Sequence, residues 1–268
     1  MRFPEWKAKA VTLSYDDGIK TDKRLIDIMN KNGLKGTFNI NSGFYDGHSL
    51  RMSKEQAFEL YTSNGMEVAA HGLKHISADC LPEMGLFKEY GQDKENLENT
   101  YDTIIRGYAY PNSIFNDRAV SMLKECGFAY ARTTIPSYQF SIPTDWLRLK
   151  PTCHHNDPKL QELTESFIQA KPDSEYRKYP LLFYVWGHTY EFDNNNNWNV
   201  IEEFAEKIGK CEGVWHATNI EIYDYVKAYE NLAFSANYDK VLNNSAIDVY
   251  LLVDGKKVLA KSGKLTKI

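Results

Sequence analysis

Ala10-Val11-Thr12-Leu13, running into Ser14-Tyr15-Asp16-Asp17-Gly18, is the stretch that decides the fold. The short apolar run reads as a buried strand, and two adjacent carboxylates with a glycine mark the turn at its end. Met66-Glu67-Val68-Ala69-Ala70, followed by His71-Gly72-Leu73-Lys74-His75, repeats the arrangement. Polar side chains placed just past the ends of neighbouring strands can converge on one point.

Outward from these two segments, apolar runs and helical patterns alternate. Strands are predicted at 11–15, 36–40, 67–70, 103–109, 128–133, 146–151, 181–186 and 214–217. Helices are predicted at 21–32, 54–63 behind the N-cap Ser53, 84–101, 117–126, 158–170 and 200–210. Repeated β-then-α units imply a parallel sheet. Near seven such repeats in roughly 230 residues favour a closed sheet over an open one, which predicts an α/β fold of the (β/α)7 barrel type over residues 1–230. Residues 231–268 change character. Ala233-Phe234-Ser235-Ala236, 246–253 and Lys257-Val258-Leu259, with a tight turn at Asp254-Gly255, predict a small antiparallel appendage packed on the barrel.

The 268 residues, 43% apolar and 25% charged, provide material for a sizeable core. A net charge of -4 gives no basic footprint, so a nucleic-acid partner is not expected. No run approaches the ~18 apolar residues that span a bilayer, and Arg2-Phe3-Pro4-Glu5-Trp6-Lys7 is unlike a secretory signal. Cys80, Cys126, Cys153 and Cys211 are widely spaced and read as free thiols, which points to a cytoplasmic address. Oligomeric state is not legible.

The chemistry is carried by the two strand-end segments. Histidines four apart, as in His71 and His75, share one face of a helical turn. With one carboxylate they make a two-His, one-acid set that leaves coordination positions open, the pattern of a catalytic divalent metal. Zinc is the first expectation; Co, Ni, Mn or Fe accept the same ligands. The second carboxylate remains for proton transfer from water, so the pattern points to metal-assisted hydrolysis.

At these residues the chain resembles the polysaccharide deacetylases, the NodB-homology or carbohydrate esterase family 4 enzymes, over about residues 8–220. The resemblance implies a distorted (β/α)7 barrel and removal of acetyl groups from N- or O-acetylated carbohydrate. Ser14-Tyr15-Asp16-Asp17 is similar to the family's first motif, which implies Asp16 as base and Asp17 as metal ligand. His71-Gly72-Leu73-Lys74-His75 is similar to H-[ST]-x-x-H, which implies His71 and His75 as the other ligands; Gly72 stands where Ser or Thr is usual. Ala109-Tyr110-Pro111-Asn112 resembles R-x-P-[YFW] but has alanine in place of the arginine that pairs with the base. Arg132, a charge inside an apolar strand, is the expected substitute, with Arg106 as runner-up. By the same analogy the Tyr110 backbone amide would help hold the oxyanion.

His188, after the strand Phe183-Tyr184-Val185-Trp186, is similar to the family's last motif and would be the general acid. Asp145 is the expected orienter of its imidazole, with Glu191 and Asp193 as alternatives. Trp186, Tyr190 and Trp198 are expected as exposed rings that position a sugar. His155, with His154, is expected to line the cleft and touch the sugar, or to ligate the metal in an unusual variant. Relatives of this family also open cyclic amides and imides, and inactive glycan-binding forms are conceivable; both stand as alternatives.

Overall fold

The computed structural model describes residues 1–47, 49–172 and 179–268. Eight strands build the main sheet: β1 (Lys9–Asp16), β2 (Gly36–Ile40), β3 (Glu67–Ala70), β4 (Gly107–Ala109), β5 (Tyr130–Arg132), β6 (Cys153–His154), β7 (Leu181–His188) and β8 (Val214–His216). Their order is β5-β4-β3-β2-β1-β7-β6, with β8 paired to the first residues of β1, and every pairing is parallel. The fold is the distorted α/β barrel expected.

Closure comes from an irregular segment. Leu149 bridges β5 at Arg132, and four residues later Cys153 pairs with β7. The sequence predicted a strand at 146–151; instead Trp146–Arg148 is a short 3-10 turn. Pro151 has no N–H for a ladder, so pairing resumes only at Thr152, whose N–H reaches Tyr184 O at 2.8 Å. The strand predicted at 103–109 shortens to β4 because Glu98 caps the Ile105 N–H and Lys94 takes its carbonyl. The helix predicted at 84–101 runs from Glu83 to Tyr101 but contains a π-turn over Lys88–Gln92.

Side-chain alternation places the chemistry. All eight residues of β1 are buried, the mark of a strand covered on both faces. Val11, Leu13 and Tyr15 join Phe183 and Val185 in the core beneath the outer helices. Ala10, Leu182, Tyr184, Trp186 and Tyr130 form the inner cluster. Period two therefore points Asp16 on β1 and Arg132 on β5 toward the same interior. Asp16 is in register with His188 on β7 and with Asn39 on β2.

The last strands, β9 (Ala233–Phe234), β10 (Lys240–Asn243), β11 (Val249–Val253), β12 (Lys256–Ala260) and β13 (Lys264–Lys267), form a three-stranded sheet and a hairpin, all antiparallel. Asp254 and Gly255, at φ 48 and 78, make the tight hairpin turn. The hairpin is held to the barrel by Arg2 N–H on Tyr250 O at 2.8 Å and Trp6 Nε1–H on Leu251 O at 3.1 Å. β10 and β13 were not foreseen: neither shows a run long enough to stand out. The four cysteines are all unpaired. Among the described residues no helix is long and apolar enough to cross a membrane.

Candidate active site

β1 ends abruptly. Asp17 lies at φ 84 and Gly18 at φ 63, so the chain turns left-handed as soon as the ladder stops. The Asp17 N–H still reaches Asn39 O at 2.9 Å, and Arg51 donates to the Asp17 carbonyl. This turn directs Asp16 and Asp17 into one mouth. From the end of β3 comes the second contribution. The His71 ring meets His75 edge-on at 4.7 Å between centroids. Ligand atoms of Asp17, His71 and His75 all lie within 4.8 Å of one another.

His71 shows what such a set can hold. Its Nδ1 stands 2.8 Å from the carbonyl of Ala109, an acceptor only, so Nδ1 carries the proton and Nε2 presents a lone pair. That Nε2 is buried and, among the described residues, has no hydrogen-bond partner. Burial lowers the His71 pKa to about 4, with Asp16 and Asp17 offsetting only part, so the ring stays neutral. A neutral imidazole with an unanswered lone pair, beside a second imidazole and a carboxylate, fits a divalent cation.

Asp16 is buried and bound from two sides. Arg132 Nη2 donates to both carboxylate oxygens, at 2.5 Å to Oδ1, and Asn39 Nδ2 donates to Oδ1 at 2.8 Å. Burial alone would raise the carboxyl. Arg132, with His71 and His188, overrides it and holds the pKa at about 2. Arg132 itself is fully buried, with its guanidinium carbon 4.5 Å from the Trp186 ring centroid. The structure thus brings Arg132 to Asp16, whereas Arg106 pairs with Asp224 far down the chain.

His188 faces Asp16 across the mouth, Nε2 to Oδ2 at 3.8 Å. Behind it stands Glu191, from the short helix Tyr190–Asn194, with Oε1 3.3 Å from His188 Nδ1. Asp145 does not take that place. It is exposed and pairs with Arg148 at 3.1 Å, both belonging to the 3-10 turn and its N-cap position that replaced the expected strand. Asp193 is engaged by Trp198 Nε1–H at 2.8 Å. Glu191 also stands 3.0 Å from His154 Nε2 and 3.1 Å from His155 Nε2. Burial opposes its ionisation, yet these imidazoles hold its carboxyl well below the ordinary range. Asn156 N–H donates to His154 Nδ1 at 3.1 Å, so a neutral His154 bears its proton on Nε2, toward Glu191. The group sets one carboxylate against three imidazoles.

Burial raises a further contrast with expectation. His155 is fully buried, stacked between Tyr15 and Phe192, with Gly187 allowing its close approach: a Cβ there would meet its Nδ1 at 1.9 Å. It does not touch the cleft. Trp186 and Trp198 are likewise buried, the first under Arg132, the second against Phe192 and Arg24. Tyr190 alone of the three expected rings is half-buried at the mouth, 5.2 Å from the His188 ring. The Tyr110 N–H already donates to Arg132 O at 3.0 Å in the β4–β5 ladder, so it is not free for an oxyanion; its side chain packs on Phe115. Asn39, Glu89 and Asp93 were missed, since a lone polar residue in a strand or helix carries no spacing signal.

Residues 4–131 match the family model described as polysaccharide deacetylase. Solved structures share the fold. A candidate polysaccharide deacetylase from Mycobacterium smegmatis superposes with TM-score 0.61 at 17% identity, covering 86% of this chain and 94% of that one. A family 4 carbohydrate esterase from Streptomyces lividans, in complex with acetate, gives 0.51 at 13%, covering 79% and 93%. A family 4 carbohydrate esterase pseudoenzyme from Bacillus anthracis gives 0.53 at 14%, covering 82% and 66%. No curated protein matches the chain in sequence.

Proposed function

We propose that this chain, a divergent relative of the polysaccharide deacetylases over residues 4–131, is a metal-dependent hydrolase that removes acetyl groups from N- or O-acetylated carbohydrate. The observation that carries the reading is the juxtaposition of Asp17, His71 and His75, one lone pair left open, with an ionised Asp16 on the same mouth. Asp17, His71 and His75 would hold the ion, zinc first among divalent metals. Bound there, it would polarise the acetyl carbonyl and acidify a water molecule, which suits a base as weak as a carboxylate near pKa 2.

Asp16 takes the water's proton on Oδ2, the oxygen that faces both His71 and His188. Arg132 and Asn39 fix the carboxylate's plane and keep it charged. His188 gives its Nε2 proton to the departing sugar nitrogen or oxygen as the acyl bond breaks, and Glu191 holds the opposite ring edge. Tyr190 borders this mouth and offers a ring face to the sugar.

Zinc-loaded protein is expected to release acetate from N- or O-acetylated oligosaccharides and to lose that activity on chelation. Ring opening of small cyclic imides without acetate release would sink this substrate class and favour the amide-hydrolysing relatives; inertness toward both would favour a glycan-binding role.

The acid has a pH signature. Burial lowers the His188 pKa, but Glu191, Asp16 and Asp17 outweigh it and the net shift is upward from 6.5. Its imidazolium, and the stability it contributes, is fully present below 6.5 and is lost as pH rises through the folded value. Glu191→Gln removes the largest raising contribution, so the alkaline limb of kcat/KM is expected to move to lower pH. A pH–rate profile whose alkaline limb stays put would dismiss Glu191 as the orienter.

A further inference from the structure

We infer that Glu89 is a positioning residue for the metal-ligating turn, acting from a neighbouring helix through the space beside Gly72. The inference rests on the reading that His71 and His75 hold the ion.

His71 N–H still reaches Ile40 O at 3.0 Å, but the turn that follows it, to Ile76, leaves the β ladder, so its backbone N–H groups need partners from elsewhere. Glu89 supplies three: its carbonyl accepts the Leu73 N–H at 3.0 Å, and its Oε1 accepts those of Lys74 at 2.8 Å and Ile76 at 3.1 Å. Those two amides flank His75, which sits at φ 57, a conformation unfavourable for any residue with a Cβ. Such a conformation persists only where surrounding bonds over-determine it. One carboxylate oxygen gripping both sides of His75 is that constraint. Four residues on, Asp93 accepts the His71 N–H at 3.1 Å, so one helical face secures both imidazole-bearing residues.

Two further observations tie Glu89 to Gly72. Gly72 lies at φ 82, and a Cβ there would stand 2.9 Å from Glu89 Oε1 and 3.2 Å from the Tyr108 hydroxyl. The carboxylate fills the space that a side chain at position 72 would occupy. Glu89 is also buried, and among the described residues no lysine or arginine lies within ion-pair distance, so its carboxyl is met by the turn's amides. It rides on the π-turn Lys88–Gln92, a departure from regular helix that recurs at functional sites.

Zinc affinity of the apoprotein, read by competition with a chromophoric chelator, tests this without reference to turnover. Glu89→Ala is expected to weaken zinc binding by about 10–100-fold, the range typical of outer partners of metal ligands, and to speed hydrogen exchange at the Lys74 and Ile76 amides. Glu89→Gln keeps a neutral acceptor and is expected to weaken binding several-fold, since hydrogen bonds to a charged acceptor are about twice as strong. Wild-type zinc affinity in a folded Glu89→Ala overturns the inference and leaves the functional reading intact. Should that variant fail to fold, Glu89→Gln decides: wild-type affinity there overturns it equally. If the wild-type protein itself ignores zinc, the functional reading falls instead.

Discussion

Arg132→Met is expected to lower kcat/KM by about 10²–10⁴-fold at neutral pH, the range over which a positioned base contributes. The guanidinium is the main force holding Asp16 at about 2 against the desolvation that would raise it. Without it the buried carboxylate keeps, among the described residues, the Asn39 donor, its pKa climbs, and the proposed base is protonated over part of the working range. The acid limb of the rate profile should therefore move to higher pH, and activity should partly return as pH is raised. Stability should also fall: breaking a buried ion pair costs about 3–5 kcal/mol, toward the low end here because Asp16 can neutralise itself by protonation. Activity is expected to suffer far more than stability, as denaturant unfolding beside the pH–rate profile will show. Equal losses in both, or a profile of unchanged shape, would reduce Arg132 to a structural ion pair.

Removing a ligand should act differently. His75→Ala and Asp17→Ala are expected to bind zinc more weakly than any outer-partner variant, beyond the ~10–100-fold of that class, and to fall to the activity of chelator-treated wild type. Asp16→Asn is expected to bind zinc as the wild type does and to lose about 10²–10⁴-fold in turnover, because it removes the proposed proton acceptor and none of the three candidate ligands. Metal analysis and acetate release on the same preparations separate the two defects. Full activity in chelator-stripped wild type, or normal metal content in His75→Ala, would remove the ion from the scheme.

Much of this was legible because it is local. Asp16 and Asp17 are neighbours at the end of a recognisable strand, and His71 and His75 stand four residues apart just past the end of another, in an irregular turn rather than the helical one expected. Arg132 was legible for another reason: a guanidinium in an apolar strand must find an anion, and period two puts it inside the barrel. What the sequence alone determined, then, is the parallel β/α order, the inward faces of its strands, and which side chains stand at the strand ends.

The tertiary structure decided who stands opposite whom. Glu191 rather than Asp145 backs His188, since Asp145 is drawn to Arg148 by a 3-10 turn that no periodicity announces. Trp186 and Trp198 are walls rather than platforms, because Arg132 and Phe192 lie over them. The Tyr110 N–H is taken by its neighbouring strand, and Glu89 reaches a turn 15 residues away in sequence. Composition and spacing carry the preferences of single segments. Burial, register and hydrogen-bond partners arise only when distant segments close on one another, and it is those contacts that assign each polar group its role.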